Sequence, residues 1–302
     1  MANKFSSLLV CCFLSFLCFA QFDYKAQFIA KEIKPAKTIY IINYDVDVNL
    51  AKASGLVEDA VKKYWTATKP EFKTVKFSEI KDKKSDDIYI GLIKTINYGL
   101  YEDKGPEPQV VYAVAFLSCD KSNKPQLHTS HPRIYLTRQF DELDIISAVR
   151  ILNTYADATL TGKYDNNLRV ATSMTPTLYR LAELNPGKLK AKTLLLDRAA
   201  LDKKVDEATI KEIYTGKFKL VTRAEILQAV KDQDPQYAYY VSEAFRDDNI
   251  SGVLTAPVVL DAQSGNMLSY SKITGGVMTN QFNPAPAPVT KGFLKEIAKN
   301  AE

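Results

Sequence analysis

Cysteine and histidine are scarce in this 302-residue chain, and each shortage excludes a class of function. Three of the four cysteines, Cys11, Cys12 and Cys18, fall at the very start. Cys119 then stands alone, so no internal disulfide can staple the remainder and stability must come from packing. It closes an apolar stretch, Val110 to Leu117, where a small buried residue is the plain reading. The two histidines, His128 and His131, sit three apart in Leu127-His128-Thr129-Ser130-His131-Pro132, with Asp120 as the nearest acid. These three are the only candidate metal ligands or proton-transfer groups to nominate. A zinc site wants three or four ligands, so a solvated loop is the expectation. There is no His-Glu-x-x-His helix and no Gly-x-Ser-x-Gly elbow, and Gly275-Gly276 lacks the Lys-Ser/Thr of a phosphate cradle. Asp86-Asp87 and Asp247-Asp248 read as turn residues. No catalytic residue and no cofactor are assigned.

Charge of one sign is also missing. The formal net charge is +5, and the lysines are dispersed instead of forming a stripe. With no zinc-finger spacing, RNA-binding aromatic motif or basic tail, nucleic acid is not an expected partner.

What the chain does have is a distinct beginning. Lys4 is followed by Phe5 to Phe19, apolar except for Ser6, Ser7 and Ser15, which is the pattern of a secretory leader and too short for a comfortable membrane span. Cys18-Phe19-Ala20 places small residues at the −3 and −1 positions of a cut before Gln21, so residues 1–20 are expected to be a cleaved signal peptide and the protein to be periplasmic or extracellular. Lipid attachment is the lesser expectation. Phe16 and Leu17 before Cys18 are too bulky, and using Cys12 leaves a very short apolar run.

The whole chain contains 46% apolar and 25% charged residues, an ordinary globular balance, and its length suggests two domains at about 150 residues each. An internal repeat supports the division. Phe72-Lys73-Thr74-Val75-Lys76-Phe77-Ser78-Glu79-Ile80 aligns without a gap on Phe218-Lys219-Leu220-Val221-Thr222-Arg223-Ala224-Glu225-Ile226, and each stretch follows a helical pattern and precedes a Tyr-rich strand. The strand Thr38 to Ile42 is β-branched and aromatic, and Leu56, Val57, Ala60, Val61, Tyr64 and Trp65 form one apolar helix face. After the short strand from Phe72 come a strand at Ile88 to Ile90, a hairpin of Val110 to Leu117 with Arg133 to Leu136, and a helix through Phe140 to Tyr155. Thr193 to Leu196, Val205 to Tyr214, Phe218 to Val221, Arg223 to Val230 and Tyr237 to Val241 repeat that order. A hairpin about Asp261 to Asn266 and a terminal helix near Phe293 complete it. The expected fold class is α/β with mixed sheets: two tandem similar domains, each a mixed β-sheet covered by helices. The boundaries are an amino-terminal arm at 21–36, a first domain at 37–165, a linker helix at 166–188 and a second domain at 189–302. Right-handed crossovers are expected to put the helices of each helix-strand-helix-strand stretch on one face.

The second unit resembles the TolB amino-terminal domain and the curli secretion lipoprotein CsgG. The carriers are Phe218, Val221 and Arg223, matching an F-x-V-V-x-R strand, and Asp261, Gly265 and Leu268, matching a D-x-x-T-G-x-[IV]-L hairpin turn. In the first unit Phe77 stands where the arginine would be, and the hairpin turn is expanded. The resemblance implies a non-enzymatic cell-envelope module that binds another envelope protein or envelope polymer, and it brings no catalytic residues. The alternative expectation is a hydrolase of glycans or peptides in the same compartment. The 17 tyrosines suit a carbohydrate or peptide surface, but Tyr237, Tyr239 and Tyr240 on one strand read first as sheet packing.

Overall fold

A computed structural model describes residues 27–45, 48–80, 87–97, 109–119, 125–126, 132–137, 139–163, 177–245, 254–270 and 286–301. The leader, Asp120, His128, His131, Asp247, Asp248, Gly275 and Gly276 lie outside the described residues. Cys119 is the last residue of its strand.

The strands are β1 (Thr38–Asn43), β2 (Glu71–Lys76), β3 (Ile88–Asn97), β4 (Gln109–Cys119), β5 (Pro125–Gln126), β6 (Arg133–Tyr135), β7 (Thr193–Asp197), β8 (Phe218–Val221), β9 (Tyr237–Phe245), β10 (Leu254–Asp261) and β11 (Met267–Tyr270). The α-helices are α1 (Val48–Tyr64), α2 (Glu142–Leu160), α3 (Glu207–Ile213), α4 (Arg223–Lys231) and α5 (Lys291–Ala301). The mixed α/β class is as the sequence indicates.

Each half of the chain is wired alike. In the first, β2, β1 and β3 run parallel, and β4 and β6 follow antiparallel in the order β2-β1-β3-β4-β6. In the second, β8, β7 and β9 run parallel, and β10 and β11 follow antiparallel in the order β8-β7-β9-β10-β11. The registers agree as well. Ile39 pairs with Phe72 and Ile88, and Leu194 pairs with Phe218 and Ala238. Laying Phe72 on Phe218 therefore lays Ile39 on Leu194 and Ile88 on Ala238. One residue further along, Tyr89 falls on Tyr239, and their partners Leu117 and Leu260 coincide.

The strands nevertheless make one 11-stranded sheet, where the sequence suggested two separate ones. On the edge of β9 away from β10, β7 pairs with residues 237–239 and β6 pairs antiparallel at Tyr135 and Ala244. The main hydrophobic core takes Ile39, Ile90 and Phe116 from the first half and Tyr239, Val241 and Leu260 from the second, and a second core on the opposite face gathers Leu194, Leu196, Tyr240 and Phe293. The reason is α2. Its residues 143–156 are all buried, because it packs on α1 on one side and on β9 and α4 on the other. Its counterpart α5 buries only Phe293, Leu294 and Ile297 and leaves Lys291, Lys295 and Lys299 exposed.

The expectation that consecutive crossover helices share one face does not hold. With the order β8-β7-β9, the chain steps first to one side of β7 and then to the other, so crossovers of the same hand land on opposite faces. Ile210 of α3 joins Leu194, Leu196 and Tyr240, whereas Ile226 of α4 joins Leu195 and Tyr239. The described part of the amino-terminal arm is also more ordered than its sequence suggested: a π-helical turn, Ile29–Ile33, buries Ile29 and Ile33 in the shared core.

Candidate functional site

Three buried ionisable side chains of the described residues, Asp144, Arg150 and Glu243, converge where the halves meet. Asp141 caps α2, its carboxylate accepting from the Leu143 and Asp144 amides at 2.9 and 3.3 Å, and Asp144 returns the bond to the Asp141 amide at 2.9 Å. This capping box fixes both carboxylates at the helix start. Arg223, the first residue of α4, donates from Nη2 to Asp141 at 2.8 Å and pairs with Asp144 at 2.7 Å, while its Nε also binds Asp141. Lys231 at the other end of α4 pairs with Glu142 at 2.7 Å. One helix of the second half is thus tied at both ends to the first turn of α2.

Beneath that pairing the seam is polar along one stripe of α2. Ser147 donates to the Leu143 carbonyl at 2.7 Å, so its single proton is committed and the Tyr239 hydroxyl, 3.0 Å away, is the donor to Ser147. Arg150 donates to the Ala262 carbonyl at 2.9 Å and lies 5.2 Å over the Tyr64 ring. Its backing is tight. Gly265 has φ +77°, and a Cβ there would come within 2.8 Å of the Arg150 Cβ, so the glycine of the hairpin turn serves both its left-handed conformation and its approach to Arg150. Tyr64 Oη, Arg150 Nη1 and Glu243 Oε1 are buried with no hydrogen-bond partner.

The electrostatics follow from burial. Burial pushes the Asp144 carboxyl up to about 6, over the opposing pull of Arg223 and with some help from Asp141. Burial, then the nearby Asp144, pushes Glu243 well above the usual carboxylate range, and Arg223 offsets only part of that. Asp141 goes the other way: burial raises it, but the Arg223 hydrogen bond and charge leave it below the usual range. The guanidinium therefore holds one carboxylate ionised, shares itself with a second, and offsets only part of the burial that raises the third, Glu243. Among the described residues no three His, Cys, Asp or Glu side chains gather closely enough to hold a metal ion.

Tyr237 and Tyr239 point to the shared core, Tyr237 only partly buried, and Tyr240 to the opposite face beside Phe293 at 5.6 Å, so this tyrosine cluster packs the sheet. Asp87 sits beside the Tyr89 hydroxyl at 3.5 Å. The seam itself was missed at the level of sequence, although its signals are there: Asp141-x-x-Asp144 before an apolar run, and Glu243 two and four residues beyond the inward-facing Val241 and Tyr239.

A second feature is an edge. Both β2 and β8 have a single strand neighbour, but their surroundings differ. The outward carbonyl of Leu220 in β8 accepts from Arg198 Nη2 at 3.2 Å. In β2 every residue except Phe72 and Val75 is exposed, and the strand runs into Phe77, which is 41% exposed and stacked on Tyr44 at 4.8 Å. No known protein family, no curated protein and no solved structure matches the chain.

Proposed function

We propose that this chain is an exported, non-enzymatic protein of the cell envelope that works as a binding or assembly module. The observation that carries the reading is the contrast between its two polar features. The buried groups Asp144 and Arg150 are engaged in joining the halves, whereas β2 offers an exposed main-chain edge ending in an exposed aromatic ring. Edges of that kind recruit other chains by main-chain pairing, with side chains at alternate positions giving selectivity. The apolar leader at residues 1–20 and the resemblance of residues 218–268 to the TolB amino-terminal domain and CsgG support the envelope setting.

The test is a photo-crosslinking residue placed at position 74 in β2, or at position 220 in β8, of the full chain expressed in a bacterial cell. The expected result is a mature protein cut after Ala20 by intact mass, with an adduct from position 74 to an envelope component and none from position 220. A leader left uncut on cytoplasmic protein, or turnover of a glycan or peptide that disappears in His131→Ala, would overturn the reading.

A further inference from the structure

Glu71 donates its amide to the Lys37 carbonyl at 2.8 Å, so in the parallel ladder residues 71, 73 and 75 bond to β1. Phe72, Thr74 and Lys76 then turn their N–H and C=O groups outward. The side chains of Glu71, Lys73, Lys76 and Glu79 are 62%, 50%, 60% and 59% exposed, so this edge is open to solvent. By contrast β11 is buried at all four positions, and Asn185 Nδ2 donates to the Met267 carbonyl at 3.1 Å. With β8 met by Arg198, β2 is the accessible edge of the three.

Of the registers that centre on Phe72, Lys73 or Thr74, the middle of the strand, a second copy fits in one. Antiparallel pairing requires outward groups to face outward groups. Centring the two-fold axis on Lys73 would set Lys73 against Lys73, which is unfavourable for directly opposed like charges. Centring it on Phe72 would set Thr74 against Pro70, which has no N–H to give. Centring it on Thr74 pairs residues 72–76 with 72–76 of the partner: Thr74 faces Thr74, Phe72 faces Lys76 and Lys73 faces Val75. Opposed threonines and an aromatic against a lysine stem are favourable cross-strand neighbours, and no like charges are opposed. The charges of Glu71, Lys73, Lys76 and Glu79 cancel, so two such edges approach without net repulsion.

We infer that the β2 edge is a self-recognition surface through which two copies of this chain form a closed two-fold dimer, continuing the sheet across an antiparallel β2–β2 joint. The inference deepens the assembly reading and rests on it for the premise that this edge is a recognition surface. A head-to-tail chain of copies is not available. Repeating the β6–β9 joint would need a free β11 and an apolar outer face on α5, but β11 is covered and α5 presents Lys291, Lys295 and Lys299. Closure at β2 therefore ends the assembly at two.

Sedimentation of the mature chain, residues 21–302, over a concentration series reads the proposal directly. Wild type is expected to shift from monomer to dimer mass. Thr74→Pro removes an outward N–H and no bond to β1, so it should raise the dimer dissociation constant at least tenfold with an unchanged circular dichroism spectrum. Thr74→Lys, which opposes two lysines on the axis without altering the backbone, should do the same. A wild type that stays monomeric, or a dimer that survives both variants, overturns the inference. A monomer whose position 74 still crosslinks to a different envelope component overturns the dimer and leaves the binding reading standing. A monomer with no adduct at all overturns both.

Discussion

The two halves of this sheet share strand order, direction and register, yet they are finished differently. In the second half, α3 and α5 cover one face and α4 the other, and α5 carries a row of exposed lysines along its outer side. In the first half, α1 and α2 cover one face, and where α4 would begin the described residues hold a 3-10 turn, Phe77–Glu79. Where the second half has Arg223 and Glu243, the register sets Phe77 and Ile93 in the first. The same wiring thus supports a charged seam in one copy and an apolar, partly exposed counterpart in the other. A topology specifies where side chains stand, and the residues at those positions decide whether the site is closed or left open.

Substitutions at matched positions sharpen that contrast. The largest loss is expected for Phe293→Ala, which empties a ring packed on Tyr240 in the second core: about 3–5 kcal/mol by urea unfolding. A cost near that of a surface change would show that α5 is not part of the second core. Next is Arg223→Ala, which leaves Asp144 buried without its cation. Breaking a buried pair costs about 3–5 kcal/mol, and with the arginine 34% exposed the expectation is about 2–3 kcal/mol. Adding Asp144→Asn should recover part of it, and strict additivity of the two changes would break the seam apart as an explanation.

Acidity tests the same seam with a definite sign. Asp144 and Glu243 have folded values above their unfolded ones, so their contribution is complete at low pH and is lost as pH rises through the folded values. For Asp144 that window runs from the ordinary aspartate value up to about 6, a difference of about 3 kcal/mol at most. Asp141 is depressed and acts oppositely, losing its contribution as pH falls through its folded value. The urea midpoint should therefore decline between pH 5 and 7, and Asp144→Asn should flatten that decline. A midpoint that rises over the interval would contradict the assignment. Glu243→Ile, copying Ile93, should stabilise by about 1 kcal/mol at pH 7 by removing a buried oxygen with no partner. Smallest of all, Phe77→Ser should change stability by less than about 0.5 kcal/mol, because an exposed ring buries little. A large loss there would mean that the first half is closed at Phe77 after all.

Much of this was legible in residues. The periodicities of Leu56 to Trp65 and Phe140 to Tyr155 become α1 and α2, and the Phe218 to Arg223 motif becomes β8 and the start of α4. Alternation along Tyr237, Tyr239 and Tyr240 sends the rings to opposite faces as a pleated strand must. Other features were less legible. The arm at Ile29–Ile33 has too short a pattern to mark a helix, and β3 continues past Ile93 because pairing with β4 carries it beyond the apolar run.

Local order was therefore written in the chain itself, since helix and strand periods, caps and turn residues act over a few positions and are set by which side chains are apolar. That α2 carries apolar residues beside a polar stripe of Asp144, Ser147, Arg150 and Asn153 was also there to be read, but its meaning was not. Only tertiary structure decided that one sheet runs through both halves, that the crossover helices α3 and α4 land on opposite faces, and that Asp144, Arg223 and Glu243 meet. Those outcomes depend on which edges and surfaces come together in space, and pairing between strands as far apart as β6 and β9 leaves no periodic trace in either one.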